Sequence, residues 1–363
     1  MAPPFAAVSA EQSDDWTEAM SGLPLLVSFP DEPGSVVLIS KELRWSQEQL
    51  GLAHALYERR LPPLTDNNAL PYMFGVSSKL ISAMGVFPHR YYRIFEVRKR
   101  GGGSRRIEAP RRFLKVIQWW INDHILSRQQ MPAYVVGFVK GKSIFDNGEQ
   151  HAPGKNLMVV DIEDFFPSVP MAKVIQLFQS LNFPEPVSHQ LARLCCLEER
   201  LPQGAPTSPA IANLVFLPAD EELARLANGW SCEYTRYADD LAFSGSRHFS
   251  SVDMSEVGDV LNRHGFSLNE SKSRVLGAGA RQIVTGLVVN VRPQPPRVRP
   301  QPPRWKRRLW RAMFHRASKH PHEFSDRKEV LTGIAAFVSQ FNPQLAEEYR
   351  GVAEEVRRRA ATG

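Results

Sequence analysis

RYADDLAFSG, residues 236 to 245, sets two aspartates side by side in a run whose neighbours Tyr237, Ala238, Leu241, Ala242 and Phe243 read as buried strand. Carboxylates are rarely buried without a compensating positive charge. At a strand-turn-strand tip, Asp239 and Asp240 are costly if both stay ionised and unpaired, and they work as an acid/base couple only if one pKa is raised. A divalent cation removes that cost. Magnesium takes oxygen ligands, usually one or two carboxylates completed by water and substrate phosphates, and a third carboxylate from another strand completes a two-metal site for phosphoryl or nucleotidyl transfer.

The chain offers that third acid. Asp161 follows the apolar run LMVV at the end of a second buried strand, NLMVVDIEDFF. Glu163 and Asp164 compete for the role. In an extended strand Asp161 and Glu163 share a face while Asp164 lies on the other. Taken alone, Asp161 reads equally as a strand-end cap; joined to the doublet, it reads as a ligand.

The 363 residues carry 43% apolar and 23% charged residues, the balance of a soluble globular protein. No apolar run spans a bilayer, the N-terminus lacks the pattern of a signal peptide, and Cys195, Cys196 and Cys232 give neither a disulfide framework nor a Cys-based metal spacing. A reducing, cytoplasmic setting is expected. The net charge of +7 and a pI near 9.4 favour a polyanionic partner. Residues 90–115 hold ten Lys/Arg against Glu96 and Glu108, and residues 292–320 hold ten with no acid. Two such concentrations favour a groove tracking a nucleic-acid backbone over a merely solvated face.

Residues 1–44 are acidic and Pro-containing, with no basic residue before Lys41, and read as a loosely ordered or appended extension. Helical spacing begins at Trp45. YYRIFEVRKRGGGSRRIEAP reads as a hairpin turning at Gly101, Gly102 and Gly103, followed by a helix in FLKVIQWWINDHILSR. Helices are expected near 171–181, 188–197 and 210–227, with LPQGAPTSP between the last two. RPQPPR at 292–297 recurs at 299–304, as a rigid polyproline spacer or a solvated linker. A helical unit follows. In it Trp305, Trp310 and Phe314 interleave with basic residues, either as core with Arg snorkelling outward or as a face gripping RNA. GFVKGKS at 137–143 lacks the glycine spacing of a Walker loop. His89, His124 and His189 are scattered singles.

YADD at 237–240, preceded in order by DIEDFF at 161–166 and LPQGAPTSP at 201–209, resembles the palm of a reverse transcriptase. The resemblance runs from about Tyr91 onward and implies an α+β right-hand polymerase. Its expected parts are fingers with part of the palm over 45–155, a palm with an antiparallel sheet over 156–290, a connector over 291–304 and a helical thumb over 305–363. It implies that Asp161, Asp239 and Asp240, with the Ile162 carbonyl, bind two Mg2+ ions. It makes Phe166 the aromatic beneath the nucleotide sugar that excludes a 2′-OH, Gln203 a nucleotide contact, and Arg105 the fingers residue on the triphosphate, with Arg106 as competitor. Lys272 becomes the residue that protonates pyrophosphate.

Within that superfamily the chain resembles retron reverse transcriptases. VTG, from Val284 through Thr285 to Gly286, is a retron marker. NGEQH, from Asn147 to His151, resembles the N-A-x-x-H signature with Gly148 in place of Ala. LTGIAAFVSQFNP resembles the retron thumb, in which Arg304, Lys306, Arg307, Arg308 and Arg311 are expected on RNA. The resemblance implies a structured noncoding RNA as template and primer, extension with dNTPs from a guanosine 2′-OH, a branched RNA-DNA hybrid, and a separate effector protein in phage defence. Two rivals stay open: an abortive-infection-type polymerase making untemplated DNA, and a non-catalytic RNA-binding module.

Overall fold

The computed structural model describes residues 34–98, 102–152, 156–290 and 299–362. The extension before residue 34, Gly101 of the expected hairpin turn and the first RPQPPR copy lie outside the described residues. The chain divides into two compact units, residues 1–130 with 169–215, and residues 131–168 with 216–363. No helix among the described residues is long and apolar enough to cross a membrane.

In the first unit, α1 (Gly34–Glu42) lies inside the stretch expected to be loosely ordered, because Val36 and Ile39, three residues apart on one helical face, are both buried. Ser46 closes a capping box with Gln49 at the start of α2 (Gln47–Glu58), and α3 (Ala69–Phe74) and α4 (Ser78–Val86) follow. Strands β1 (Tyr92–Arg98) and β2 (Ser104–Pro110) form the expected hairpin, in register from Tyr92 opposite Pro110 to Arg98 opposite Ser104. Helix α5 (Arg112–His124) buries Leu114, Ile117, Trp120 and Ile121 along one stripe. Gln118 on that stripe donates to the Leu194 carbonyl at 2.7 Å. Helices α6 and α7 belong to the second unit and the first unit respectively: α6 spans Ile144–Gln150 and α7 spans Met171–Ser180. Helix α8 (Glu185–Cys195) follows in the first unit, and α9 (Ser208–Gly229) runs from the first unit into the second.

The second unit is built on a four-stranded antiparallel sheet. Its strands are β3 (Asn156–Asp161), β4 (Glu233–Tyr237), β5 (Asp240–Gly245) and β6 (Arg274–Leu276), in the order β4-β5-β3-β6. The central pair is apolar on both faces, with Leu157, Met158, Val160, Leu241 and Phe243 at 0% exposure, which makes the segments long apolar runs rather than alternating ones. Helix α10 (Ser251–Arg263) follows β5. Phe165, Phe216 and Phe266 pack edge to face or tilted, with centroids 4.8 to 6.0 Å apart.

Strand β3 stops at Asp161, short of the expected NLMVVDIEDFF. The Glu163 amide donates to the Ser267 carbonyl, Asp164 takes a left-handed φ of 43°, and Ser168 donates to the Asp164 carbonyl. Glu163 and Asp164 therefore sit exposed on a turn rather than along a strand face.

VTG forms the tip of a small hairpin between β7 (Ile283–Val284) and β8 (Leu287–Val288). Thr285 and Gly286 have φ of 45° and 80°, the two left-handed residues of a type I′ turn. The second RPQPPR copy is not solvated: it pairs with β8 and packs against the protein. Gln301 exchanges both backbone hydrogen bonds with Val288 at 2.7 and 3.1 Å, and Pro300, Pro302 and Pro303 are buried. Gly148 on α6 lies under this segment, where a Cβ would fall 2.9 Å from Pro300 Cγ. The departure from the N-A-x-x-H signature thus has a steric reason.

The chain ends in α11 (Arg304–Lys319), α12 (Lys328–Val338) and α13 (Pro343–Thr362), which share a core of Trp310, Phe314, Leu331, Val338, Tyr349 and Val356. Trp310 and Phe314 are core, as one of the two sequence readings has it, and only Trp305 of the three aromatics is exposed, at 60%. Restoring the signature residue should do harm: Gly148→Ala is expected to cost about 1–3 kcal/mol by overpacking, read as a lowered Tm, with Pro300→Ala in the same chain recovering most of the loss.

Candidate active site

The register of β3 against β5 puts Asp161 directly opposite Asp240. Like charges across an antiparallel pair repel. The Ile162 amide donates to the Asp239 carbonyl at 2.9 Å, so the doublet's turn is tied to the residue after Asp161. Burial first, then the charges of Asp239 and Asp161, push the Asp240 carboxyl up to about 7.

One cation answers this charge directly, and a second braces the turn from beneath. Lys272 reaches Asp161 with Nζ 2.8 Å from Oδ1 and 3.1 Å from Oδ2, while its side chain stays largely exposed. Its own pKa is raised, chiefly by that hydrogen bond to Asp161. Arg236, the first residue of RYADD, lies wholly buried beneath the turn. Its Nη2 is 2.6 Å and its Nε 2.8 Å from the buried Asp220 carboxylate, which also accepts from the Tyr234 hydroxyl at 2.7 Å. Its guanidinium stacks over Phe216 at 4.8 Å, and Nη1 donates to the Ala238 carbonyl at 3.4 Å. Arg236 is thus committed to Asp220 and to the turn backbone.

The turn between β4 and β5 is strained. Ala238 has a φ of 58°, a conformation that costs a non-glycine residue about 1–3 kcal/mol and persists only where its surroundings impose it. Those surroundings include GFVKGKS. The Val136 and Gly137 amides donate to the Arg236 carbonyl at 2.9 and 3.3 Å, and a Cβ on Gly137 would lie 2.4 Å from the Ala238 nitrogen. The stretch set aside as a failed phosphate loop is the floor of the aspartate turn. Sequence reasoning missed it, and the only local signal was a glycine whose neighbour across the fold is 101 positions away. Phe138, at φ 61° and 52% exposed, places its ring 6.2 Å from Phe166 and 6.4 Å from Tyr237.

Asn147, His151 and Val284 are buried, at 1%, 2% and 3% exposure, so direct contact of their side chains with RNA does not hold in this structure. They brace the site instead. His151 Nδ1 pairs with Ser244 Oγ on β5 at 2.8 Å and Nε2 with Thr235 Oγ1 on β4 at 2.7 Å, clasping both arms of the aspartate hairpin. Asn147 donates to Thr285 Oγ1 at 3.4 Å, which joins the two family markers across 138 residues. Thr285 also donates to the Ile144 carbonyl, at 3.4 Å. Gly286 is exposed at the turn tip.

On α11, Arg304, Arg308 and Arg311 are exposed and Arg307 is half-buried, with no salt bridge from any of the four among the described residues. Burial and the neighbouring Arg304 and Arg311 hold Arg307 below its usual pKa. Lys306 lies over Trp310 and Phe337, at 5.2 and 5.9 Å. These guanidiniums form an uncompensated basic face.

Arg105 and Gln203 belong to the first unit. Arg106, the alternative to Arg105, is occupied by Glu198 at 2.8 Å and Glu108 at 3.2 Å. Strand alternation sends Arg105 to the opposite face of β2, exposed and with no side-chain hydrogen bond among the described residues. Gln203 is half-buried, and its carbonyl accepts from the Glu108 amide on β2 at 2.8 Å.

Magnesium fits the donor chemistry: three carboxylates at one end of the sheet, one of them with its pKa raised by burial and then by the other two, are hard oxygen ligands short of positive charge. Among the described residues, no three acidic, His or Cys side chains converge as a finished metal cage.

The family profile described as reverse transcriptase (RNA-dependent DNA polymerase) matches residues 97–298. The chain is similar to the retron Mx65 reverse transcriptase of Myxococcus xanthus, 35% identical over 309 residues, covering 75% of this chain and 69% of that protein. It is 32% identical over 344 residues to the retron Mx162 reverse transcriptase of the same organism, with 83% and 70% coverage. It is 35% identical over 202 residues to the retron Ec86 reverse transcriptase of Escherichia coli, with 55% and 63% coverage.

Gly137→Ala is expected to lower turnover by about 10²-fold through displacement of the aspartate turn, with RNA affinity unchanged in a filter-binding assay. A second expectation concerns acid. Burial pushes His151 from its ordinary 6.5 down to about 4, so the folded state keeps the ring neutral while the unfolded chain protonates it below pH 6.5. The stability this group contributes is complete above pH 6.5 and is lost as pH falls toward 4. Thermal melts across that window should show the Tm of the wild type falling more steeply than that of His151→Gln.

Proposed function

Because the chain belongs to the retron reverse transcriptases and is an RNA-directed DNA polymerase, we propose that it copies a structured noncoding RNA into a branched RNA-DNA hybrid, starting from a guanosine 2′-OH within an anti-phage defence system. The observation that carries this reading is the joining of the two retron markers to the aspartate hairpin: Asn147 on Thr285, and His151 on Thr235 and Ser244. A fold that spends its subfamily-specific residues on holding the YADD turn favours a working polymerase over an RNA-binding module.

In this reading Asp161, Asp239 and Asp240, with the Ile162 carbonyl, hold two Mg2+ ions, whose chemistry is to acidify the attacking hydroxyl and neutralise charge on the transferred phosphoryl group. The protein's own groups do the rest. Arg236 and Gly137 hold the turn so that the carboxylates keep their positions. Lys272, at rest on Asp161, is a mobile ammonium able to give a proton to departing pyrophosphate. Phe166 closes the sugar pocket against a ribose 2′-OH. Arg105 holds triphosphate oxygens with a planar fork, and Gln203 contacts the nucleotide. Arg304, Arg308 and Arg311 face the RNA backbone. The fingers, palm, connector and thumb boundaries given above belong to the same proposal, as does an effector protein acting beside the enzyme.

The test is reconstitution with the RNA encoded beside the gene, Mg2+ and dNTPs. Products should be complementary to that RNA, joined to it through a 2′ linkage that a debranching enzyme cleaves, and reduced by at least about 10³-fold in Asp239→Asn. Products of random sequence would instead support the abortive-infection-type polymerase, and RNA binding without any incorporation would support the binding module.

A further inference from the structure

The first unit holds a buried carboxylate that the reading above does not use. Glu108, on β2, is 1% exposed, a burial that an ionised acid tolerates only when its oxygens are satisfied. They are. Arg200 approaches with Nη2 2.8 Å from Oε1 and Nη1 3.0 Å from Oε2, a two-pronged clamp. Arg106 Nε lies 3.2 Å from Oε1. The Gln203 backbone amide donates to Oε2 at 3.3 Å, and the Glu108 amide donates to the Gln203 carbonyl at 2.8 Å.

The neighbourhood is built to allow this approach. Gly204 has a φ of 130°, and a Cβ there would stand 3.1 Å from Ile107 Cγ2 and 3.2 Å from the Glu108 carbonyl oxygen, so the loop can close on β2 only as glycine. Arg200 reaches Glu108 from a bridge between Leu197 and Arg200 whose two intervening residues, Glu198 and Glu199, both take left-handed φ, 52° and 59°. Two non-glycine residues in that conformation are strained and need their surroundings to hold them. Glu198 is held by Arg106 at 2.8 Å and Arg200 at 3.1 Å.

We propose that Glu108 is the positioning residue that fixes Gln203 to the strand carrying Arg105, so that the two present one preset surface to an incoming deoxynucleoside triphosphate. Glu108 touches no substrate. It acts through the Gln203 backbone and through Arg106, whose capture by Glu108 and Glu198 leaves Arg105 as the free guanidinium of the pair. The inference rests on the reading of Gln203 and Arg105 as nucleotide contacts.

Steady-state primer extension on an RNA template with varied dNTP tests it, in Glu108→Gln and in Glu108→Gln/Arg200→Met. The double variant leaves no unpaired charge buried, so it stays measurable if the single variant fails to fold. Both should raise the KM for dNTP about tenfold, with kcat and RNA affinity essentially unchanged and Glu108→Asp recovering part of the loss. An unchanged KM in the double variant overturns the proposal. So does a parallel loss of kcat and RNA affinity, which a purely structural residue would produce. Gln203→Ala run alongside separates the failures. If it too leaves KM unchanged, the nucleotide-contact reading has failed; if it raises KM while the Glu108 variants do not, the positioning role alone has failed.

Discussion

Two carboxylates facing each other across one antiparallel strand pair, Asp161 opposite Asp240, are the constraint around which the second unit is built. The sheet's hydrogen bonds hold the backbones at a fixed spacing whatever the side chains prefer, and burial first, then the charges of Asp239 and Asp161, raise the pKa of Asp240. Folding therefore holds these carboxylates where burial and like charge both disfavour ionisation, a cost that a bound cation would offset. Lys272 offsets part of it at Asp161 without burying its own charge, which leaves the ammonium able to leave.

Holding that arrangement requires support at every side of the hairpin. Arg236 and Asp220 form a wholly buried ion pair beneath the turn, and such pairs are weak sources of net stability but strongly destabilising when one partner is lost. Their worth here is geometric: Arg236 binds the Ala238 carbonyl and helps impose a left-handed φ that alanine would not choose. His151 clasps the two strands behind the turn, and Gly137 lets another segment pass against its backbone. The second proline repeat pairs with β8 and packs over Gly148, so that markers far apart in the chain support one another.

Much of this was legible in the sequence. The YADD doublet, the third acid after LMVV, the β1–β2 hairpin and the C-terminal helices all carry local signals: apolar runs ending in acids, alternation, and helical periodicity. What could not be read was whatever depends on long-range pairing. The end of β3 at Asp161 is set by backbone bonds to Ser267 and Asn269, the role of Gly137 by its neighbour Ala238, and the internal positions of Asn147 and His151 by strands about 84 to 138 residues away. The proline repeat misled because composition alone describes an extended, solvated segment, whereas residue 301 finds an open strand edge to pair with. Glu108 looked like an acid in a basic hairpin, and only the fold shows that it is buried.

If Asp161, Asp239 and Asp240 form a cation site held in readiness, the ions can be counted directly. Manganese binding, followed by electron paramagnetic resonance as Mn2+ is titrated into protein with a dNTP and RNA present, measures it without reference to any product. Two ions should bind per chain, with binding weakened sharply in Asp161→Asn and Asp240→Asn and unchanged in Glu163→Gln. Equal manganese binding by the wild type and the aspartate variants would contradict it.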